Sequence, residues 1–99
     1  MLFIVSGRDH ANGLEHRLQH RPAHRAYYNS LGDDLILAGP YVDDKGDPVG
    51  SMIVMRRKDL AEAEAFANAD PFVTEGVFES HTVARWDWLM KRPDGFSND

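Results

Sequence analysis

Three short runs, Leu2-Phe3-Ile4-Val5, Leu35-Ile36-Leu37-Ala38 and Met52-Ile53-Val54-Met55, contain no polar residue. A strand turns successive side chains to opposite faces, so each run is apolar on both. An antiparallel sheet with one wet face does not need that pattern. Both faces of the sheet therefore call for cover, and a chain of 99 residues has little material to supply it.

Between these runs the chain alternates in kind. A first strand is expected at residues 2–7. Asn12 is placed to cap a helix through Leu14 and Leu18. Pro22 removes a backbone bond to residue 18, so a break or kink is expected near residues 19–21. A second helical segment then starts at Pro22 and runs through Ala23, Ala26, Tyr27 and Leu31 to a stop at Gly32. A strand over 34–38 is closed by Gly39-Pro40, and Asp43 to Pro48 is turn chemistry throughout. A strand over 49–56 follows, then a helix capped by Asp59 and a short turn opened by Asp70-Pro71 and ended by Gly76. The last strand is expected from Val77 to about Trp88. Residues 1–90 read as one domain and 91–99 as a frayed tail.

The order β-α-β-β-α-β is the α+β, ferredoxin-like pattern: a four-stranded antiparallel sheet with two helical segments on one face. The helices cover one apolar face. A second copy of the same sheet is the economical cover for the other, which predicts a homodimer packed sheet to sheet.

Composition narrows the chemistry. No cysteine is present, which removes disulfides, thiolate nucleophiles and cysteine-based metal centres. The opening apolar run is too short for a signal sequence or a membrane span, so no membrane partner is expected and a cytoplasmic setting is the default. The formal charge is −5, but residues 13–25 hold Arg17, Arg21 and Arg25 against Glu15, a net +2, leaving −7 elsewhere. That is a poor footprint for nucleic acid and a reasonable one for a small anionic ligand.

His16, His20 and His24 recur every four residues, as do the three arginines. Histidines at that spacing can bind a metal, but the expected break at Pro22 spoils the alignment, and a solvated face is the ordinary reading. No metal and no cofactor are expected. For the arginines, a solvated face competes with the reading that Arg21, beside the break, points into a pocket. Asp70 before Pro71 is by itself a turn or helix cap, and His24 by itself is an ordinary packed histidine. Together, a histidine and a carboxylate are the parts of a general-base pair.

The phrases Arg21-Pro22-Ala23-His24-x-x-Tyr27, Leu37-Ala38-Gly39-Pro40, Gly50-Ser51 and Asp70-Pro71-Phe72, followed by Gly76-Val77-Phe78 and Val83-x-x-Trp86, occur in that order. In this they resemble the YciI-like (YCII-related) family, from about Leu2 to Trp86. The resemblance implies a ferredoxin-like fold forming a dimeric α+β barrel and a His–Asp pair lining a pocket, carried here by His24 and Asp70. It also implies a set of small enzymes, one type of which removes chloride from a chlorinated hydroxyhydroquinone.

On that footing a small cofactor-independent lyase, isomerase or dehydrochlorinase is expected, moving a proton on a small anionic or aromatic ligand. His24 would be the base and Asp70 its partner. Arg21 would anchor the anion, and Gly39 and Pro40 with Ser51 would lie near the developing oxyanion. Tyr28 and Phe72, with Tyr27, would form an apolar wall. The competing expectation is a non-catalytic module that binds a small anion in the same pocket.

Overall fold

The computed structural model describes residues 1–99. Strand β1 spans Leu2–Asp9, helix α1 Leu14–Asn29, β2 Leu35–Val42, β3 Pro48–Arg56, α2 Leu60–Asn68, the one-turn helix α3 Pro71–Thr74, and β4 Phe78–Trp86, with a 3₁₀ turn at Gly32–Asp34 before β2. The strands form one sheet in the order β2-β3-β1-β4, and every neighbouring pair is antiparallel. This is the ferredoxin-like βαββαβ arrangement.

The core lies between the helices and one face of the sheet. Phe3 and Val5 of β1 and Ile53 and Met55 of β3 meet Tyr28 of α1 and Ala63 and Ala67 of α2, all buried. Each large apolar side chain buried this way contributes roughly 1.5–3 kcal/mol. The two alanines, four residues apart, let α2 lie close on the sheet, while Phe66 of the same helix packs against Tyr27 and Tyr28 at the edge of the core. Asp59 caps α2 as expected, its side chain accepting from the Glu62 N–H at 2.8 Å.

Alternation sends Ile4, Leu37, Val54 and Ala84 to the opposite face, where they lie side by side in register, with Met52 two residues before Val54 on the same face of β3. Leu37 is exposed there, and Ile4 and Met52 are half-buried. The chain after β4 returns to one end of this face. Phe96 stacks edge-on against Trp88 with ring centroids 5.4 Å apart, and the Arg56 guanidinium lies 5.0 Å from the Phe96 centroid. The Trp88 N–H donates to the Asn98 side chain at 3.0 Å. Residues 91–99, expected to fray, thus make specific contacts with the sheet.

Three expectations change at the backbone. Helix α1 runs unbroken through Pro22. A proline in a helix interior forfeits one hydrogen bond and costs about 3 kcal/mol. Here, Arg17 on one side of it and His24 on the other are both locked into the protein, and those contacts hold the helix together. Gly13, not Asn12, is the N-cap, with Asn12 in the left-handed region at φ 59°. Strand β2 continues through Gly39 and Pro40 to Val42, an extension an edge strand tolerates because it pairs on one side only.

Candidate functional site

The buried residues of α1 are Arg17, His24 and Tyr28, spaced seven and four apart on one stripe. A stripe turned to a core is normally apolar. Two of these three are polar, and both hydrogen-bond to named partners.

His24 Nδ1 lies 2.8 Å from Asp70 Oδ1. A carboxylate accepts, so Nδ1 carries the proton and Nε2 is the free nitrogen. Asp70 has no solvent exposure. Its position comes from the local sequence: as N-cap of α3 it accepts from the Phe72 N–H at 3.0 Å with the same Oδ1, and Pro71 occupies the first helical position, where its missing N–H costs nothing. The cap brings Phe72 into place as well. Its ring stacks on the His24 imidazole at a centroid distance of 3.8 Å and 6° between planes. Tyr28 meets the same imidazole edge-on at 5.2 Å. Burial first, then the Asp70 carboxylate and Tyr27, push the Tyr28 phenol well above its ordinary range, so it stays neutral.

Arg17 is the other polar member. Its Nη1 donates to both carboxylate oxygens of Asp9 at 3.0 Å, and its Nη2 donates to Ser51 Oγ at 2.6 Å. Its guanidinium carbon lies 4.8 Å from the Phe72 ring centroid. Arg17 thereby ties α1 to β1, β3 and α3 at once. Because Arg17 supplies the hydrogen, Ser51 Oγ acts as acceptor toward it and keeps its own O–H to donate elsewhere.

A cavity of about 450 Å³ opens beside this assembly. Arg17, Arg21, His24 and Arg25 of α1 form one side. Ala38, Gly39 and Pro40 of β2 and Ser51 and Ile53 of β3 form much of the other. Five of the nine residues singled out from the sequence line it: Arg21, His24, Gly39, Pro40 and Ser51. Asp70 lies behind His24. Tyr28 and Phe72, expected as an apolar wall, are 3% and 0% exposed and do not line the cavity. They hold the imidazole from behind, Tyr28 from the core-facing stripe of α1 and Phe72 from α3.

Arg17 and Asp9 were missed from the sequence. The signal was present in spacing: Arg17 is seven residues before His24, hence on the same helix face. The histidine series does not converge. His16 Nε2 is 2.7 Å from the Glu75 carbonyl oxygen, while His24 engages Asp70.

The fold and the paired imidazole and carboxylate beside an arginine-lined cavity define a small α+β domain of the dimeric α+β barrel class. The chain belongs to the YCII-related domain family, which matches residues 1–87. Protein YciI of Escherichia coli O6:H1 is 40% identical over 91 residues, covering 84% of this chain and 93% of the relative. Among solved structures, the 5-chloro-2-hydroxyhydroquinone dehydrochlorinase TftG of Burkholderia phenoliruptrix, in complex with 2,5-dihydroxybenzoquinone, superposes with a TM-score of 0.80. It is 30% identical, covering 88% of this chain and 94% of that one. An antibiotic biosynthesis monooxygenase shares the fold alone, at 18% identity and a TM-score of 0.51 over 90% of this chain and 99% of its own. No helix is long and apolar enough to cross a membrane.

Proposed function

We propose that this protein is a small cofactor-independent enzyme, a lyase or isomerase, that moves a proton on a phenolic or enolic anion. The observation that carries this reading is the buried His24–Asp70 pair, 2.8 Å apart, with the imidazole lining the cavity. Nε2 takes a proton from a ring hydroxyl, and Asp70 offsets the imidazolium charge that forms. Arg21 holds the anion. The Ser51 hydroxyl and the backbone near Gly39 and Pro40 steady the developing oxyanion, a well-placed donor being worth about 3 kcal/mol.

The likeness to TftG supports a hydroquinone-type substrate. Two hydroxyl protons leave oxygen, one of them is delivered to the chlorine-bearing ring carbon, and Cl⁻ leaves that carbon with its bonding pair. The net loss of HCl turns a chlorinated hydroquinone into a quinone without an external oxidant. The test is chloride release from chlorinated hydroxyhydroquinones by wild type and His24→Ala. Release by wild type that His24→Ala abolishes is expected; equal release by both would end this mechanism. A ligand that binds and is recovered unchanged would favour a non-catalytic anion-binding module.

The same reading includes a homodimer, supported by the apolar side chains of Ile4, Leu37, Met52 and Ala84 on the sheet face away from the helices, and a cytoplasmic setting. Sedimentation at micromolar concentration is expected to give a dimer, and a pure monomer would overturn that part.

A further inference from the structure

The cavity wall is charged in one sense only. Of the 16 aspartates and glutamates in this acidic chain, none lines it, while three arginines do. Arg17 is neutralised by Asp9. Arg21 and Arg25 take part in none of the ion pairs of the protein, which otherwise engage Arg17, His24, Arg56 and Arg57. Two unpaired guanidiniums therefore face a concave surface, one uncharged side of which is Ala38, Gly39 and Pro40. If the arginine row served only to solvate the helix, nothing would keep every carboxylate away from that cavity.

The placement along α1 is specific. The helix is unbroken, so Arg21 lies about 4.5 Å before His24 along the axis and Arg25 about 1.5 Å after it. All three side chains line the same cavity, with the two cations on either side of the imidazole along the helix axis. Guanidinium binds carboxylate through two parallel N–H donors, and in a concave site its field also gathers anions.

We propose that Arg21 and Arg25 form an anion subsite beside His24, which takes a carboxylate borne on the same ring as the reacting hydroxyl. The inference deepens the proton-transfer reading and rests on it for the orientation of the ring; it makes the substrate class a hydroxyaromatic acid. Arg25, with no role in the proton transfer itself, becomes a residue that sets specificity.

The experiment is isothermal titration near neutral pH of three probes: hydroquinone, benzoate and 2,5-dihydroxybenzoate. The carboxylated hydroquinone is expected to bind roughly tenfold more tightly than hydroquinone, the order expected of a hydrogen-bonded charge pair. In the double variant Arg21→Gln/Arg25→Gln the difference should vanish, and raised salt should narrow it. Both positions are exposed, so the variant keeps its fold. Lys58→Gln, a charge change away from this cavity, should leave the preference intact.

Equal binding of the two hydroquinones, or a preference that survives the double variant, overturns the subsite. The two readings fail separately. Benzoate binding lost in the double variant, with no hydroquinone binding, supports the subsite and removes the phenol. Hydroquinone binding weakened by His24→Ala, with no gain from the carboxylate, does the reverse. No binding of any probe overturns both.

Discussion

Asp70 holds His24 by the same oxygen with which it caps α3: Oδ1 stands 2.8 Å from His24 Nδ1 and 3.0 Å from the Phe72 N–H. Cap and pair are one group. The sequence presented these roles as rivals, but geometrically the cap is what fixes the carboxylate where the imidazole needs it.

Replacing Asp70 separates the two functions. Asp70→Asn keeps an oxygen for the cap but loses the charge, so turnover of an identified substrate should fall at least about a hundredfold with little change in thermal stability. Asp70→Ala also loses the cap, a further cost of about 1 kcal/mol. Parallel melting curves and rates check the split; equal melting temperatures for the two variants would refute it.

Arg17 binds Asp9 where both side chains are 4% exposed. Removing one partner of a buried pair strands the other charge, so Arg17→Met should destabilise the protein by about 3–5 kcal/mol. Arg17→Met combined with Asp9→Leu should recover much of that. Urea denaturation of the two singles and the double reads the coupling, and additive losses would show the pair is not mutually dependent.

The Tyr28 hydroxyl is buried without a hydrogen-bond partner. Tyr28→Phe is therefore expected to be neutral or stabilising by up to about 1 kcal/mol. Because the folded-state phenol titrates above its ordinary value of 10.0, folding favours its protonated form. That contribution is whole below pH 10 and is lost as pH rises above it, when only the unfolded chain can release the proton. Stability measured between pH 9 and about 11 should therefore fall less steeply in Tyr28→Phe than in wild type.

Pro22 sits inside an unbroken helix. Pro22→Ala restores the N–H that can bond to the Leu18 carbonyl, and should stabilise the protein by about 1–3 kcal/mol. A denaturant midpoint that falls would mean the helix needs its proline.

The sequence disclosed the sheet well, because four segments of two-faced or alternating apolar residues separated by strong turn residues leave few alternatives. It disclosed α1 poorly. Local propensity argues for a break at Pro22, and only contacts from distant residues, Ser51 to Arg17 and Asp70 to His24, argue against one. The same blindness hid Arg17: a charged residue reads as surface until its partners, eight and thirty-four positions away, are known. His24 and Asp70 were legible through family phrases, not through spacing. Tyr28 and Phe72 were expected as a wall facing the ligand, but both rings pack on the imidazole from the core side, since a turn of helix decides whether a ring meets cavity or core.

The sheet order β2-β3-β1-β4 interleaves the two βαβ units of the chain, each seating a strand beside a strand of the other. His24 belongs to the first unit and Asp70 to the second. Neither unit can assemble the proton-transfer pair alone, so a chain cut at the Asp43–Asp47 hairpin would recover it only on reassociation of both fragments. The pair thus reports on the whole domain: any opening that parts the two units takes the imidazole from its carboxylate in the same event.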